Sequence, residues 1–159
     1  MGKFNGVVKT NKMDNYNTPL MGWKDILTFF DKDTKLWLPF YNDGTAKNKL
    51  NELGYMDVYH EDRDYFTYWL NDRILLDNPP FSIKKEVIDY AYKKNKPFGL
   101  LLPFDTIERK YFKQYNNGLQ IIIPPNRYNY TCDNKQPPFK SVWICWNMNL
   151  GNGDKIIFL

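Results

Sequence analysis

The sequence predicts an α/β fold: a single open, mostly parallel sheet with helices on both faces and a C-terminal antiparallel hairpin. Apolar stretches of strand length alternate with stretches of helical period, an order that calls for right-handed crossovers around one sheet. The stretch from Pro97 to Phe104 is apolar almost throughout, as suits a parallel strand covered on both faces. A second apolar run begins at Arg73 and halts in Asp77-Asn78-Pro79-Pro80-Phe81. Each proline there lacks a donor and fixes its own φ, so the chain must leave the sheet and form a stiff corner.

Composition bounds what such a domain can do. The chain has 159 residues, enough for one domain with a real core, divided here into a flexible arm over 1–16 and a folded domain over 17–159. Hydrophobic residues make up 43% and aromatic residues 18%, too much for a disordered chain. No apolar run approaches the roughly 20 residues of a membrane helix, and the N-terminus lacks a signal-peptide core, so no membrane partner and an intracellular location are expected. Two cysteines, Cys132 and Cys145, and one histidine, His60, are too few for an ordinary metal cluster. A net charge of +4 favours a polyanionic partner, and Lys3, Lys9 and Lys12 of the arm could reach phosphates.

Taken in order, the elements begin with Thr18-Pro19, read as N-cap and first helical residue of a helix carrying Trp23, Ile26, Leu27 and Phe30 on one face. A short strand from Leu36 turns at Asp43-Gly44 into a helix over Ala46 to Leu53, closed by Gly54. A strand that passes through a glycine turn into a helix lets a ligand approach backbone donors. A second strand runs from Tyr55 into His60-Glu61-Asp62. In a doubly wound sheet an acid at that end can accept from ribose hydroxyls, and either Glu61 or Asp62 would serve. After the proline corner, Ile83 to Lys94 is an amphipathic crossover helix. Helix over about Thr106 to Tyr115 and strand over Leu119 to Pro124 follow. The segment from Pro125 to Pro138 is the longest irregular stretch, and its Arg127, Tyr128, Tyr130 and Lys135 suit phosphates and exposed bases. Strands from Phe139 and Asp154, joined through Gly151-Asn152-Gly153, read as the terminal hairpin.

The corner Asn78-Pro79-Pro80-Phe81 resembles motif IV of the S-adenosylmethionine-dependent amino methyltransferases, chiefly the DNA N6-adenine methyltransferases. The resemblance implies a Rossmann-like class I methyltransferase fold. Thr18-Pro19 resembles motif X, near the carboxylate of the methyl donor; Pro39, Phe40, Asp43 and Gly44 resemble motif I, with Asp43 opposite the donor's ammonium. Asp64 and Phe66 resemble motif III, an acid and an aromatic at the donor's adenine. Leu38 stands where an acid often precedes the motif I proline, and the short interval before the strand ending at Asn78 leaves little room for the usual third strand.

The implied cofactor is S-adenosyl-L-methionine and the implied substrate is adenine in DNA. The Asn78 amide oxygen and the Pro79 carbonyl would accept from the amino group, while Phe81 would stack on the base. Alternatives of the same chemistry are an RNA adenine or a protein glutamine amide. From another class comes a catalytically inactive methyltransferase-like subunit, acting through a homodimer or a partner chain.

Overall fold

The protein is described by a computed structural model, which covers residues 16–130 and 139–159; the segments 1–15 and 131–138, with Cys132 and Lys135, lie outside the described residues. Seven strands form one sheet: β1 (Leu36–Trp37), β2 (Val58–Tyr59), β3 (Ile74–Asp77), β4 (Phe98–Pro103), β5 (Leu119–Ile123), β6 (Ser141–Trp146) and β7 (Ile156–Phe158). Their order is β2-β1-β3-β4-β6-β5-β7. The pairings among β2, β1, β3 and β4 are parallel, and β6 runs antiparallel between β4 and β5. No strand lies outboard of β2 among the described residues, in keeping with the short interval before Arg73.

The sheet owes its two covered faces to the two-residue period of its strands. Leu36, Leu38, Leu76, Leu101, Ile122, Trp143 and Cys145 face one cluster, closed by Trp23, Ile26 and Leu27 of α1 (Leu20–Leu27) and Leu50 of α2 (Ala46–Glu52). Trp37, Leu75, Leu100, Leu102, Val142 and Ile144 face the other, under Val87, Ile88 and Ala91 of α3 (Lys84–Lys93). Helices therefore cover both faces, as expected. All six residues of β4 are buried, which explains their unbroken apolar character. Packing at Gly99 of β4 leaves no room for a side chain: a Cβ there would stand 2.7 Å from Leu76 Cδ1 and 3.3 Å from Cys145 Sγ.

Three local expectations are corrected. Pro19, not Thr18, is the N-cap of α1, and Thr18 makes no side-chain capping bond; its Oγ1 is buried without a partner. The helix expected over about Thr106 to Tyr115 is two 3-10 segments, Phe104–Glu108 and Lys110–Tyr115, parted by Arg109 in an extended conformation. The terminal strands run antiparallel to each other without pairing, because β7 joins the outer edge of β5, parallel to it. Gln120 decides this: its Nε2 donates to the carbonyls of Leu150 (3.1 Å) and Asp154 (2.9 Å), and its Oε1 accepts from Leu150 N (2.7 Å). That buried amide carries the turn past β5 instead of folding it back on β6.

Candidate functional site

The sheet places β2 on one side of β1 and β3 on the other, so the chain direction across the sheet reverses between β1 and β3. Loops leaving neighbouring strands at such a point diverge and open a crevice beyond the carboxyl ends. A shallow depression, open to solvent, lies there, lined by Asn17, Thr18, Phe40, Asp43, Lys49 and Asp77 among others. It brings the stretch before α1, the loop after β1 and the end of β3 to one place, although these are distant in sequence.

The loop after β1 is shaped by two left-handed residues, Asn42 (φ 49°) and Gly44 (φ 76°). Asp43, expected opposite an ammonium group, already accepts from Thr45 N (3.0 Å), Thr45 Oγ1 (2.7 Å) and Asn17 Nδ2 (2.9 Å). Its role in the geometry is to hold the loop to the stretch before α1. Lys49 Nζ donates to the Thr18 carbonyl at 2.9 Å on the same wall. Pro39 is buried, and Phe40 packs against Tyr65 on the second core face.

Asp77 is the feature that sequence reasoning missed. It is 2% exposed, and its carboxylate accepts from Phe40 N at 2.7 Å and Asn78 N at 2.8 Å. Burial pushes its carboxyl well above the usual range, against the pull of those two bonds. A charged residue closing an otherwise apolar strand, immediately before Asn78, was the available signal.

The proline corner follows at once, and it is covered rather than presented. Asn78 is 3% exposed, and Pro79 and Pro80 are buried. Asn78 Nδ2 donates to the Tyr16 carbonyl at 2.6 Å, which orients the amide and leaves its Oδ1 buried without a partner. Tyr16, assigned to the arm by sequence, stacks on Phe81 and meets Tyr130 and Phe139 edge-on. The physical reason is that four aromatic rings at one sheet end bury more apolar area together than an arm leaving into water.

The remaining expected residues fall elsewhere. Glu61 accepts from the Tyr59 hydroxyl at 2.9 Å and Asp62 is exposed. Asp64 caps the 3-10 turn Tyr65–Thr67 by accepting from Phe66 N, and Phe66 packs edge-on against Tyr65 and Tyr90. None of these four lines the depression with Asp43 and Asp77. His60 is buried, with Nδ1 at 2.8 Å from the Leu38 carbonyl and its ring on Tyr41. Burial lowers its pKa, and its Nε2 has no partner.

Tyr128 and Tyr130 are corrected as nucleic-acid contacts. They are 5% and 1% exposed, and their hydroxyls engage Asp25 Oδ2 (2.6 Å) and Ser141 Oγ (2.5 Å). Aromatic rings at the edge of a large core gain more from burial than from solvent. Arg127 is exposed and remains available.

No protein-family model and no curated protein matches the sequence. Among solved structures, the chain is similar to the 23S rRNA methyltransferase ErmE, with a TM-score of 0.59 at 7% identity, over 82% of this chain and 68% of that one. At that identity the likeness speaks for the fold alone. Together with the strand order, the crevice beside β1 and β3 and the antiparallel β6, it establishes a Rossmann-like class I methyltransferase fold for this chain.

Proposed function

We propose that this chain is an S-adenosylmethionine-dependent methyltransferase that modifies N6 of adenine in DNA. One observation carries the reading: the Asn78 amide is held by Tyr16, its buried oxygen lacks a donor, and the preceding residue, Asp77, lines the crevice at the sheet's switch point. The residues there suit the donor. Thr18 offers an unpartnered hydroxyl, Lys49 an ammonium and Asp77 a carboxylate, and the left-handed turn at Gly44 shapes the loop that carries Asp43.

When bound, S-adenosylmethionine supplies a methyl on a cationic sulfur; the amine's lone pair forms the new N–C bond, the C–S pair returns to sulfur as a thioether, and one amine proton leaves. The chain's contribution is to position and polarise the acceptor. Asn78 Oδ1 and the Pro79 carbonyl accept from the amine, turning its lone pair out of the ring and stabilising the positive charge that builds on nitrogen. Phe81 provides the flat face for the base once Tyr16 has moved aside. A duplex base must be flipped to arrive there, at a few kcal/mol, so single-stranded substrate is the easier one.

RNA adenine is the second reading, favoured by the similarity in fold to a 23S rRNA methyltransferase. Incubation with methyl-labelled donor and a panel of DNA and RNA oligonucleotides, with and without adenine, separates the two. Label in adenine-containing DNA is expected; label only in RNA moves the substrate, and label in neither, at any enzyme concentration, removes the activity.

A further inference from the structure

We propose that Asp77 is a specificity-determining donor residue, the counter-charge that lets this chain prefer a sulfonium donor over its neutral thioether product. The inference rests on the methyl-transfer reading above, and it concerns a residue outside the Asn78–Phe81 motif. The Asp77 carboxylate is fastened on two sides, to Phe40 N in the loop after β1 and to Asn78 N at the corner. It therefore stands between the wall of the crevice and the group that would hold the acceptor amine.

Each oxygen uses one acceptor position on those bonds and keeps another. No ion pair reaches Asp77 among the described residues. The other ionisable groups lining the crevice are Tyr41, Asp43 and Lys49, with His60 stacked behind Tyr41. Lys49 is directed to the Thr18 carbonyl, and Asp43 is held by Asn17 and Thr45. Nothing described neutralises Asp77.

A buried carboxylate without a cation is costly, and burial accordingly drives its carboxyl toward the protonated form. A bracket between two backbone N–H groups needs acceptors and no charge. A cation arriving in the crevice removes the penalty and favours the ionised form. Once the methyl has left, the sulfur is neutral and the attraction is gone, so the product is held less tightly than the donor.

The test is calorimetric titration of the whole protein and of Asp77→Asn with S-adenosylmethionine and with S-adenosylhomocysteine. Both ligands carry the same ammonium, so their ratio isolates the sulfur. The wild-type protein is expected to prefer the sulfonium, and Asp77→Asn to lose about tenfold of that preference, with thioether affinity kept within roughly threefold. An unchanged ratio overturns the inference. Should the variant fail to fold, proton counting on the wild type decides: titration at pH 6 in buffers of different ionisation enthalpy should show more protons released with the sulfonium than with the thioether. Equal counts overturn the inference as well. Binding of neither ligand to the wild type would instead remove the methyltransferase reading itself.

Discussion

The ring of Tyr16 lies over the ring of Phe81, centroids 5.5 Å apart and planes 23° from parallel, while its carbonyl accepts from Asn78 Nδ2 at 2.6 Å. In the proposed mechanism an aromatic base stacks on Phe81 and its amino group meets the Asn78 amide; here the Tyr16 ring and carbonyl take those two places.

Tyr16→Ala is therefore expected to tighten binding of a single-stranded adenine oligonucleotide. The ring no longer competes for Phe81, and a stack of this kind is worth about 1–3 kcal/mol. Fluorescence anisotropy at fixed salt reads the change. Weaker or unchanged binding would mean that Tyr16 forms a wall of the base site and does not block it.

Asn78→Ala should lower turnover by about two orders of magnitude or more while donor binding survives, because in the proposed mechanism the amide acts on the acceptor as charge develops. Phe81→Ala should chiefly weaken nucleic-acid engagement, by roughly 1–3 kcal/mol. Single-turnover rates and oligonucleotide titrations separate these effects; equal losses in donor affinity would place both residues in the wrong half of the site.

Gly44→Ala tests the loop after β1. The position has φ 76°, where a side chain is strained by about 1–2 kcal/mol, and a Cβ would meet the Tyr41 hydroxyl at 2.6 Å. A drop in the urea midpoint and a weaker affinity for the donor are expected together. Loss of stability with unchanged donor affinity would detach this loop from the donor site.

The pH dependence of stability has two opposed contributions. His60 is held neutral by burial, so its pKa in the folded state lies below the ordinary 6.5. As pH falls below that value the unfolded chain takes up the proton first, and stability declines until the folded-state pKa is passed. Asp77 has its folded-state pKa raised above 3.8, so its contribution declines as pH rises from there toward that raised value. Urea midpoints between pH 5 and 8 should lose their fall below about pH 6.5 in His60→Gln. A fall that persists in the variant would assign it to other groups.

Much of this fold is legible locally. The apolar runs at β3 and β4, the turn glycines Gly44 and Gly54 and the proline corner all act within a few residues of themselves, through backbone conformation and the two-residue period of a strand. The same locality explains the misreadings. Tyr128 and Tyr130 have the composition of a contact loop, and only packing shows that Asp25 and Ser141 claim their hydroxyls. Glycines at 151 and 153 signal a reversal correctly, and they say nothing about the strand beside which the reversed chain comes to rest.

By itself, then, the sequence determined the alternation of strands and helices, the stiff corner at Asn78 to Phe81 and the short path from β2 to β3, with no strand beyond β2 among the described residues. Tertiary structure alone decided that Tyr16 covers that corner, that Asp77 bridges Phe40 and Asn78, and that β7 joins β5. The reason is separation along the chain: Phe40 and Asp77 are 37 residues apart and Tyr16 and Asn78 are 62 apart. Their contacts are chosen by competition for burial and hydrogen bonds within the assembled sheet, which no local pattern encodes.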